Sequence, residues 1–278
     1  MTPALSRQYA KLCDIADFAD AGILAAIRDV IPERDPVAHA ERKAWEFAML
    51  ALFLEEAGSL DDRAEVLAVG AGTERILFWL ANRCGHVTAT DIYGEGGFAG
   101  AEADATMLAD PAALAPYPYR EDRLSVRWAD ARELPFPDAS FDVVFSLSSF
   151  EHFGAPREIA RAAAEAGRVL RPGGHAVIVT ECWIRRHPLE ALLWSLPGRR
   201  GVDVLTARQI DRCIVRASGL ESLQPLDTAV SAASWDNVAR VRPGRPPEPR
   251  TGAYFPHILV QFRHSVHTSA CVVMRKPR

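Results

Sequence analysis

The sequence contains few cysteines, and none of them forms a CxxC pair. The five cysteines are an odd number and lie far apart, at positions 13, 84, 182, 213 and 271. Zinc sites and disulfide frameworks of small secreted domains depend on closely spaced cysteines. We therefore expect buried, reduced thiols and no metal site.

Long apolar runs and an excess of one charge are also missing. No stretch has the length of apolar sequence that crosses a bilayer, and the first residues lack the apolar run of a secretory signal. The net charge of -4 gives no electrostatic reason to expect a nucleic-acid partner. We expect a cytoplasmic protein that acts on a small molecule, away from membranes and nucleic acids; the sequence does not indicate the oligomeric state.

The first 60 residues read as helical. Asp35 and Pro36 are a good helix start, because Asp caps free N–H groups and Pro suits the first turn. Apolar residues then recur at helical spacing from Ala44 to Ala51, and Gly58 is a plausible stop. The pattern predicts an N-terminal helical cap over residues 1–60.

From residue 64 onward, predicted strands alternate with predicted helices. The predicted strands span 65–69, 86–90, 123–128, 141–146 and 176–181, and the predicted helices span 73–83 and 156–170. This alternation favours an α/β fold with a parallel sheet and helices on both faces. Further along, the pattern predicts a helix over 205–218 and strands over 220–226 and 267–274. The Pro- and Arg-rich stretch 240–250 reads as irregular.

A glycine-containing turn, Gly70-Ala71-Gly72, follows the first strand. Glycine allows a ligand to approach the backbone there, and the next helix offers unpaired N–H groups. The dinucleotide fingerprint needs a third small residue where this chain has Arg75, so a nicotinamide or flavin site is disfavoured. A P-loop is excluded because no GK[ST] follows.

Acidic residues end the next two strands. Asp91 can accept hydrogen bonds from both hydroxyls of a ribose. Asp130 can accept from the exocyclic amine of an adenine, while the backbone N–H of Ala131 donates to the ring. Since parallel strands end at one edge of a sheet, these features predict a nucleoside-type ligand there.

The motifs EVLAVGAGTE, VTATDIYG, LPFPDASFDVV, EHF and VLRPGG together resemble the class I S-adenosylmethionine-dependent methyltransferases. The resemblance is greatest to the small-molecule group that includes the ubiquinone-biosynthesis methyltransferases. It implies a Rossmann-like, seven-stranded, mostly parallel sheet whose last strand is antiparallel. The methyltransferase domain would span 61–278, with substrate-side insertions near 93–120, 182–201 and 229–257.

The resemblance also implies S-adenosyl-L-methionine as the cofactor and a set of residues that bind it. The predicted contacts are Gly70, Ala71, Gly72, Glu74, Asp91, Ile92, Asp130, Ala131, Ser146 and Leu147. Two positions depart from the family: Ala68 replaces an acid that positions the cofactor's ammonium group, and Glu74 replaces a loop glycine. Glu74 either supplies the missing charge or only favours the helix N-terminus.

Methyl transfer from a sulfonium needs mainly alignment of the acceptor, to which a general base adds a further rate factor. His152 is the candidate base, since an imidazole titrates near neutral pH, and Glu151 is the candidate to orient it. A hydroxyl acceptor, in a sugar or a specialised metabolite, is favoured over an amine or carbon. Two alternatives stay open: a non-catalytic protein with the same fold, and an NAD(P)-dependent oxidoreductase.

Overall fold

The computed structural model describes residues 5–38, 40–99, 101–190, 203–241 and 257–278. Most of the α-helices are short and lie between strands or ahead of the first strand. They are α1 (Ala21–Val30), α2 (Arg42–Glu56), α3 (Arg75–Ala81), α4 (Thr106–Ala109), α5 (Pro156–Val169), α6 (Ala207–Ile210) and α7 (Ala232–Asp236). In the part of the chain so described, every helix is too short or too polar to cross a membrane.

A single mixed sheet forms the centre of the molecule. Its strands are β1 (Glu65–Val69), β2 (His86–Asp91), β3 (Leu124–Trp128), β4 (Phe141–Leu147), β5 (Leu170–Arg185), β6 (Leu205–Thr206), β7 (Glu221–Ser222), β8 (Val238–Val241), β9 (Leu259–Phe262) and β10 (Ser265–Arg275). The main order is β3-β2-β1-β4-β5-β10-β9-β8. The first five strands of this order run parallel, and β10 pairs antiparallel with β5.

The predicted fold class is confirmed: the sheet is mostly parallel, helices cover it, and the last strand runs antiparallel. Over the described residues the sheet has ten strands instead of the seven expected. The additions are the two-residue strands β6 and β7 and an edge strand beyond β9. These additions lie outside the five parallel strands that place the candidate site.

Two apolar cores pack against the two faces of this sheet. Along β1, Val66 and Ala68 belong to one core while Leu67 and Val69 belong to the other. This alternation is that of a strand buried on both faces. Helices α1, α2 and α3 contribute to the first core and α5 to the second. The glycine turn after β1 therefore starts from a strand fixed on both sides.

The segment before β1 differs in detail from its prediction. Asp35 and Pro36 do not start a helix; α2 begins at Arg42, with Glu41 at its N-cap. The predicted stop agrees, since α2 ends at Glu56 and Gly58 follows with φ of 64°. The start was misplaced because an Asp-Pro pair also suits the turns found at 35–38.

The C-terminal third was less predictable. The predicted helix over 205–218 is β6, α6 and a π-helical turn (Asp211–Val215), and the strand over 220–226 shortens to β7. Strands β8 and β9 were not predicted, because four-residue segments containing Arg or Gln lack a clear alternation. The predicted irregular stretch 240–250 overlaps the end of β8, and 242–250 lies outside the described residues.

Candidate cofactor and active site

A cavity of about 640 Å³ opens at the carboxyl ends of the parallel strands. A volume of this size suits a cofactor with part of a second ligand. Most of the predicted site residues line it: Gly70, Gly72, Glu74, Asp91, Ile92, Asp130, Ala131, Leu147 and His152. The carboxyl ends of β1, β2, β3 and β4 therefore meet at one site, as parallel strands require.

The glycines of the turn are needed for packing within the protein. Gly70 and Gly72 have φ of 62° and 51°, in the left-handed region. A Cβ on Gly70 would lie 2.5 Å from Cβ of Ser149, and one on Gly72 would lie 2.8 Å from the backbone oxygen of Glu102. The segments after β2 and β4 thus close over the turn and leave no room for a side chain at Gly72 and Gly70, respectively.

Gly72→Ala is expected to lower the free energy of unfolding by about 1–3 kcal/mol, because it adds left-handed strain to a backbone clash. Urea unfolding measures this change. Gly97→Ala is the matched control, since its Cβ would meet nothing within 4 Å and its φ is not in the left-handed region. Equal stability of the two variants would contradict the packing argument.

Asp91 is held by the backbone at the end of β2. Its Oδ2 accepts from the N–H of Gly72 at 2.9 Å, and its Oδ1 accepts from the N–H of Ile92 at 2.7 Å. Burial raises the pKa of Asp91, and these two hydrogen bonds oppose the rise. Each carboxylate oxygen keeps a lone pair for a ligand at the cavity wall.

Asp130 has its own cationic partner. Its oxygens accept from Nε and Nη2 of Arg132 at 2.7–3.1 Å and from the backbone N–H of Arg132 at 2.9 Å. This pairing lowers the pKa of Asp130. The ion pair is partly exposed, and such pairs are worth at most about 1 kcal/mol. A ligand amine would therefore displace Arg132 from Asp130 at a modest cost in free energy.

Three predicted residues lie outside the cavity lining. Ala71 is buried, and its N–H donates to the carbonyl of Thr90 at 2.9 Å. Ser146 is buried on β4, and its Oγ has no hydrogen-bond partner among the described residues. Glu151 is buried beneath the cavity. At the end of β4 the lining instead includes Ser148 and Ser149.

Glu151 does not orient the His152 ring through its hydrogen bonds. Its carboxylate accepts from Thr180 Oγ1 at 2.6 Å and from the N–H of Glu181 at 3.2 Å. Burial, together with the charge of Glu181, raises the pKa of Glu151 to about 7. The carboxyl is therefore protonated in much of the folded protein near neutral pH.

This raised pKa gives a pH-dependent stability. The folded state holds the proton more tightly than the unfolded state, whose Glu has an ordinary pKa of 4.5. The stabilisation is fully present below pH 4.5 and is lost as pH rises through about 7. Glu151→Gln is expected to raise the free energy of unfolding at pH 8 by about 1–3 kcal/mol, with little change at pH 4.5.

Urea unfolding at the two pH values tests this expectation. Glu133→Gln serves as the control, since Glu133 is exposed and pairs with the exposed Arg161. A Glu151→Gln protein that loses stability with pH as steeply as the wild type would show that another group is responsible.

His152 lies at the cavity with an orienting partner that the sequence did not indicate. Its Nδ1 is 3.3 Å from Oδ2 of Asp203. The ring also contacts Phe98, with centroids 4.8 Å apart. An imidazole held by a carboxylate through one nitrogen presents the other nitrogen for proton transfer. Asp203 is the residue in this structure that orients His152.

An ion cluster that the sequence did not predict also lines the cavity. Lys43 Nζ is 2.8 Å from Glu74 and 3.0 Å from Glu46, and all three residues line the cavity. Burial alone would lower the pKa of Lys43, but the two carboxylates raise it overall. Burial raises the pKa of Glu74, against the effect of Lys43. A sequence signal existed: Glu46 lies between Trp45 and Phe47 in an apolar helix.

A second pair, Arg42 and Glu181, also lines the cavity. Arg42 Nη1 is 2.7 Å from Glu181 Oε1, and Arg42 lowers the pKa of Glu181 although burial opposes it. The nearby His257 is partly buried, and burial and Arg42 lower its pKa to about 4. This histidine is therefore neutral, and it ends the predicted substrate-side insertion 229–257.

Comparison with known proteins gives a family match for the segment that supplies most of the predicted site residues. The model described as "Methyltransferase domain" matches residues 67–178. The 27-O-demethylrifamycin SV methyltransferase of Amycolatopsis mediterranei is 36% identical over 104 residues, which are 37% of this chain and 34% of that relative. The ubiquinone/menaquinone biosynthesis C-methyltransferase of Roseobacter denitrificans is 30% identical over 139 residues, 49% of this chain and 48% of the relative.

A solved structure agrees in fold. The crystal structure of the cyclase SpnF matches with a TM-score of 0.53 at 19% identity, covering 92% of this chain and 93% of that chain. At this identity the likeness is one of fold alone. The two sequence relatives are matched over about a third to a half of their length.

The sheet and its cavity define a doubly wound α/β protein with a cavity at the carboxyl ends of its parallel strands. Within it, residues 67–178 match the methyltransferase domain model. The prediction of a class I S-adenosylmethionine-dependent methyltransferase is confirmed for this segment, together with S-adenosyl-L-methionine as the cofactor of that family.

Proposed function

We propose that this chain transfers the methyl group of S-adenosyl-L-methionine to a hydroxyl oxygen of a small molecule. One observation carries the proposal: the glycine turn, Asp91, Asp130 and His152 line a single cavity. The glycines pass beneath the ligand, Asp91 accepts from the ribose, and Asp130 accepts from the adenine amine. The match of residues 67–178 to a methyltransferase domain supports the same assignment.

The chemistry expected of the protein is alignment and proton removal. The cofactor supplies an activated methyl group on sulfur. His152 accepts the proton of the acceptor hydroxyl as the new O–C bond forms and the S–C bond breaks, and Asp203 holds the imidazole in place. Alignment lowers the barrier by about 7–11 kcal/mol, and the base adds a factor of about 10²–10⁴.

The part of the wall formed by Arg42, Glu181, His257 and Phe98 suits a hydroxylated, uncharged acceptor. Arg42 is already paired with Glu181, and His257 is neutral, so these groups offer hydrogen bonds and little net charge. Phe98 provides an apolar surface beside His152. The rifamycin relative is named for transfer to oxygen and the quinone relative for transfer to carbon, and the proposal follows the former.

Calorimetric titration and methyl-transfer assays test this proposal. We expect S-adenosylhomocysteine to bind and NADH not to bind. Incubation with labelled S-adenosylmethionine and a fractionated metabolite extract should label a small, hydroxylated product. Heat only with NADH would instead support an oxidoreductase, although Arg75 lies where that fold needs a small residue.

One observation favours a second candidate, a binding protein without turnover. Asp130 is occupied by Arg132, which competes with an adenine amine for the carboxylate. Tight binding of S-adenosylhomocysteine with no labelled product from any extract would support this candidate over the transferase.

A further inference from the structure

The cluster formed by Lys43, Glu46 and Glu74, called here the Lys43 cluster, lies beside the glycine turn. Glu74 is two residues beyond Gly72 and is the N-cap of α3. Glu46 accepts at Oε1 from Ser148 at 2.7 Å, and the neighbouring Ser149 donates to the carbonyl of Gly70 at 2.7 Å. The cluster therefore borders the part of the cavity next to the turn, away from Asp130.

Glu46 is the most deeply buried member, with 1% of its surface exposed. Its Oε1 also accepts from Ser269 at 2.6 Å, so this oxygen is satisfied by two hydroxyls. Its Oε2 lies 3.0 Å from Lys43 and has no hydrogen bond within the described part of the chain. A buried carboxylate oxygen in a cavity wall that accepts no hydrogen bond from the described residues has capacity for a further donor.

The charges of the Lys43 cluster do not balance. Two carboxylates face one ammonium group, so the cluster has a net charge of -1 when all three are ionised. Glu102, another acid at the cavity, adds to the negative potential at Glu74. Excess buried negative charge is costly unless a cation neutralises it. Ala68 meanwhile leaves the end of β1 without the acid that the resemblance implies.

We infer that the Lys43 cluster holds the amino-acid end of S-adenosylmethionine. Glu46 and Glu74 accept from the ligand's ammonium group, and Lys43 donates to its carboxylate. The whole cofactor has a net charge of +1, which offsets the -1 of the cluster. Acids on α2 and at the start of α3 thus replace the missing acid of β1. This inference depends on the proposed function, since it concerns the same cofactor.

Three ligands that share the adenosine group separate the roles. S-adenosylhomocysteine has both the ammonium and the carboxylate, decarboxylated S-adenosylhomocysteine has only the ammonium, and 5′-methylthioadenosine has neither; the sulfur is uncharged in all three. Dissociation constants are measured by calorimetry for the wild type, Lys43→Gln and Glu74→Gln. No readout depends on turnover.

Lys43→Gln is expected to weaken the binding of S-adenosylhomocysteine by about tenfold or more, the loss expected for a charged hydrogen bond. It should not weaken the binding of the decarboxylated ligand. The affinity for 5′-methylthioadenosine should change by less than about twofold, which is the spread expected for substitutions at sites that do not contact the ligand. Glu74→Gln is expected to weaken the binding of both ammonium-bearing ligands and to leave the affinity for 5′-methylthioadenosine unchanged.

Two further proteins keep the result interpretable. Lys11→Gln is the control, because Lys11 pairs with Asp17 at 2.6 Å and is not part of the cavity lining. The double variant Lys43→Gln, Glu74→Gln keeps the net charge of -1 with a single carboxylate, so it serves if Lys43→Gln does not fold. It should lose affinity for S-adenosylhomocysteine and keep it for 5′-methylthioadenosine.

Equal weakening of all three ligands by Lys43→Gln would overturn the inference, because the cluster would then only support the fold. That result leaves the proposed function intact, since adenosine binding by the wild type stands. A wild-type protein that binds none of the three ligands would remove the proposed function and this inference with it.

Discussion

Replacing His152 with alanine is expected to lower the methyl-transfer rate by about 10²–10⁴-fold, the usual contribution of a general base. The affinity for S-adenosylhomocysteine should stay within about twofold, since truncation of a residue that does not bind the ligand has little effect. Asp203→Asn should cause a smaller loss of rate, because the imidazole remains but loses its orienting carboxylate. Single-turnover rates and calorimetry measure the two quantities separately.

The exposed His264→Ala is the matched control for His152, since His264 is not among the residues lining the cavity. If His152→Ala retains the wild-type rate, proton transfer does not depend on this residue, and alignment alone would account for the activity. Loss of cofactor affinity with an unchanged rate at saturation would assign His152 to binding.

Replacing Asp91 with alanine is expected to weaken the binding of S-adenosylhomocysteine by at least about 1.5 kcal/mol, or about tenfold in dissociation constant. The change removes the acceptor for the ribose hydroxyls. It also removes the acceptor of the N–H groups of Gly72 and Ile92, which donate to the Asp91 carboxylate in the wild type. The glycine turn should therefore lose order together with the ribose contact.

Asp104→Ala provides the comparison for Asp91. Asp104 also accepts a backbone hydrogen bond, from Thr106 at 2.7 Å, but it is only partly buried and lies outside the cavity lining. A stably folded Asp91→Ala protein with wild-type affinity would mean that the ribose binds elsewhere.

The parallel half of the sheet was predictable because each strand has a local signal. The run Glu65–Val69 is apolar and ends at a glycine with positive φ, and the structure has the same bounds. His86–Asp91 is β-branched and ends in an acid that the backbone binds. Strands β8 and β9 have no such signal, since β9 depends on pairing with β10 and β8 depends on pairing with β9.

The site was predictable where it follows from strand ends, and less so where it depends on distant contacts. Gly70, Asp91 and Asp130 were predictable as site residues because each comes just after the end of a predicted strand. Asp203 lies 51 residues beyond His152, and nothing local identifies it as a partner. Asp130 and Arg132 are only two positions apart. The sequence nevertheless offers Asp130 other possible partners, so it does not single out this pairing.

The hydroxyl of Ser269 that binds Glu46 comes from a residue 223 positions further along the chain. Near the N-terminus, Leu12 likewise pairs with Ala270 on β10. During synthesis on the ribosome, α2 therefore emerges long before the strand that satisfies its buried carboxylate. Contacts of such large sequence separation slow folding. The cavity wall at Glu46 is consequently completed only after the last strand has been made.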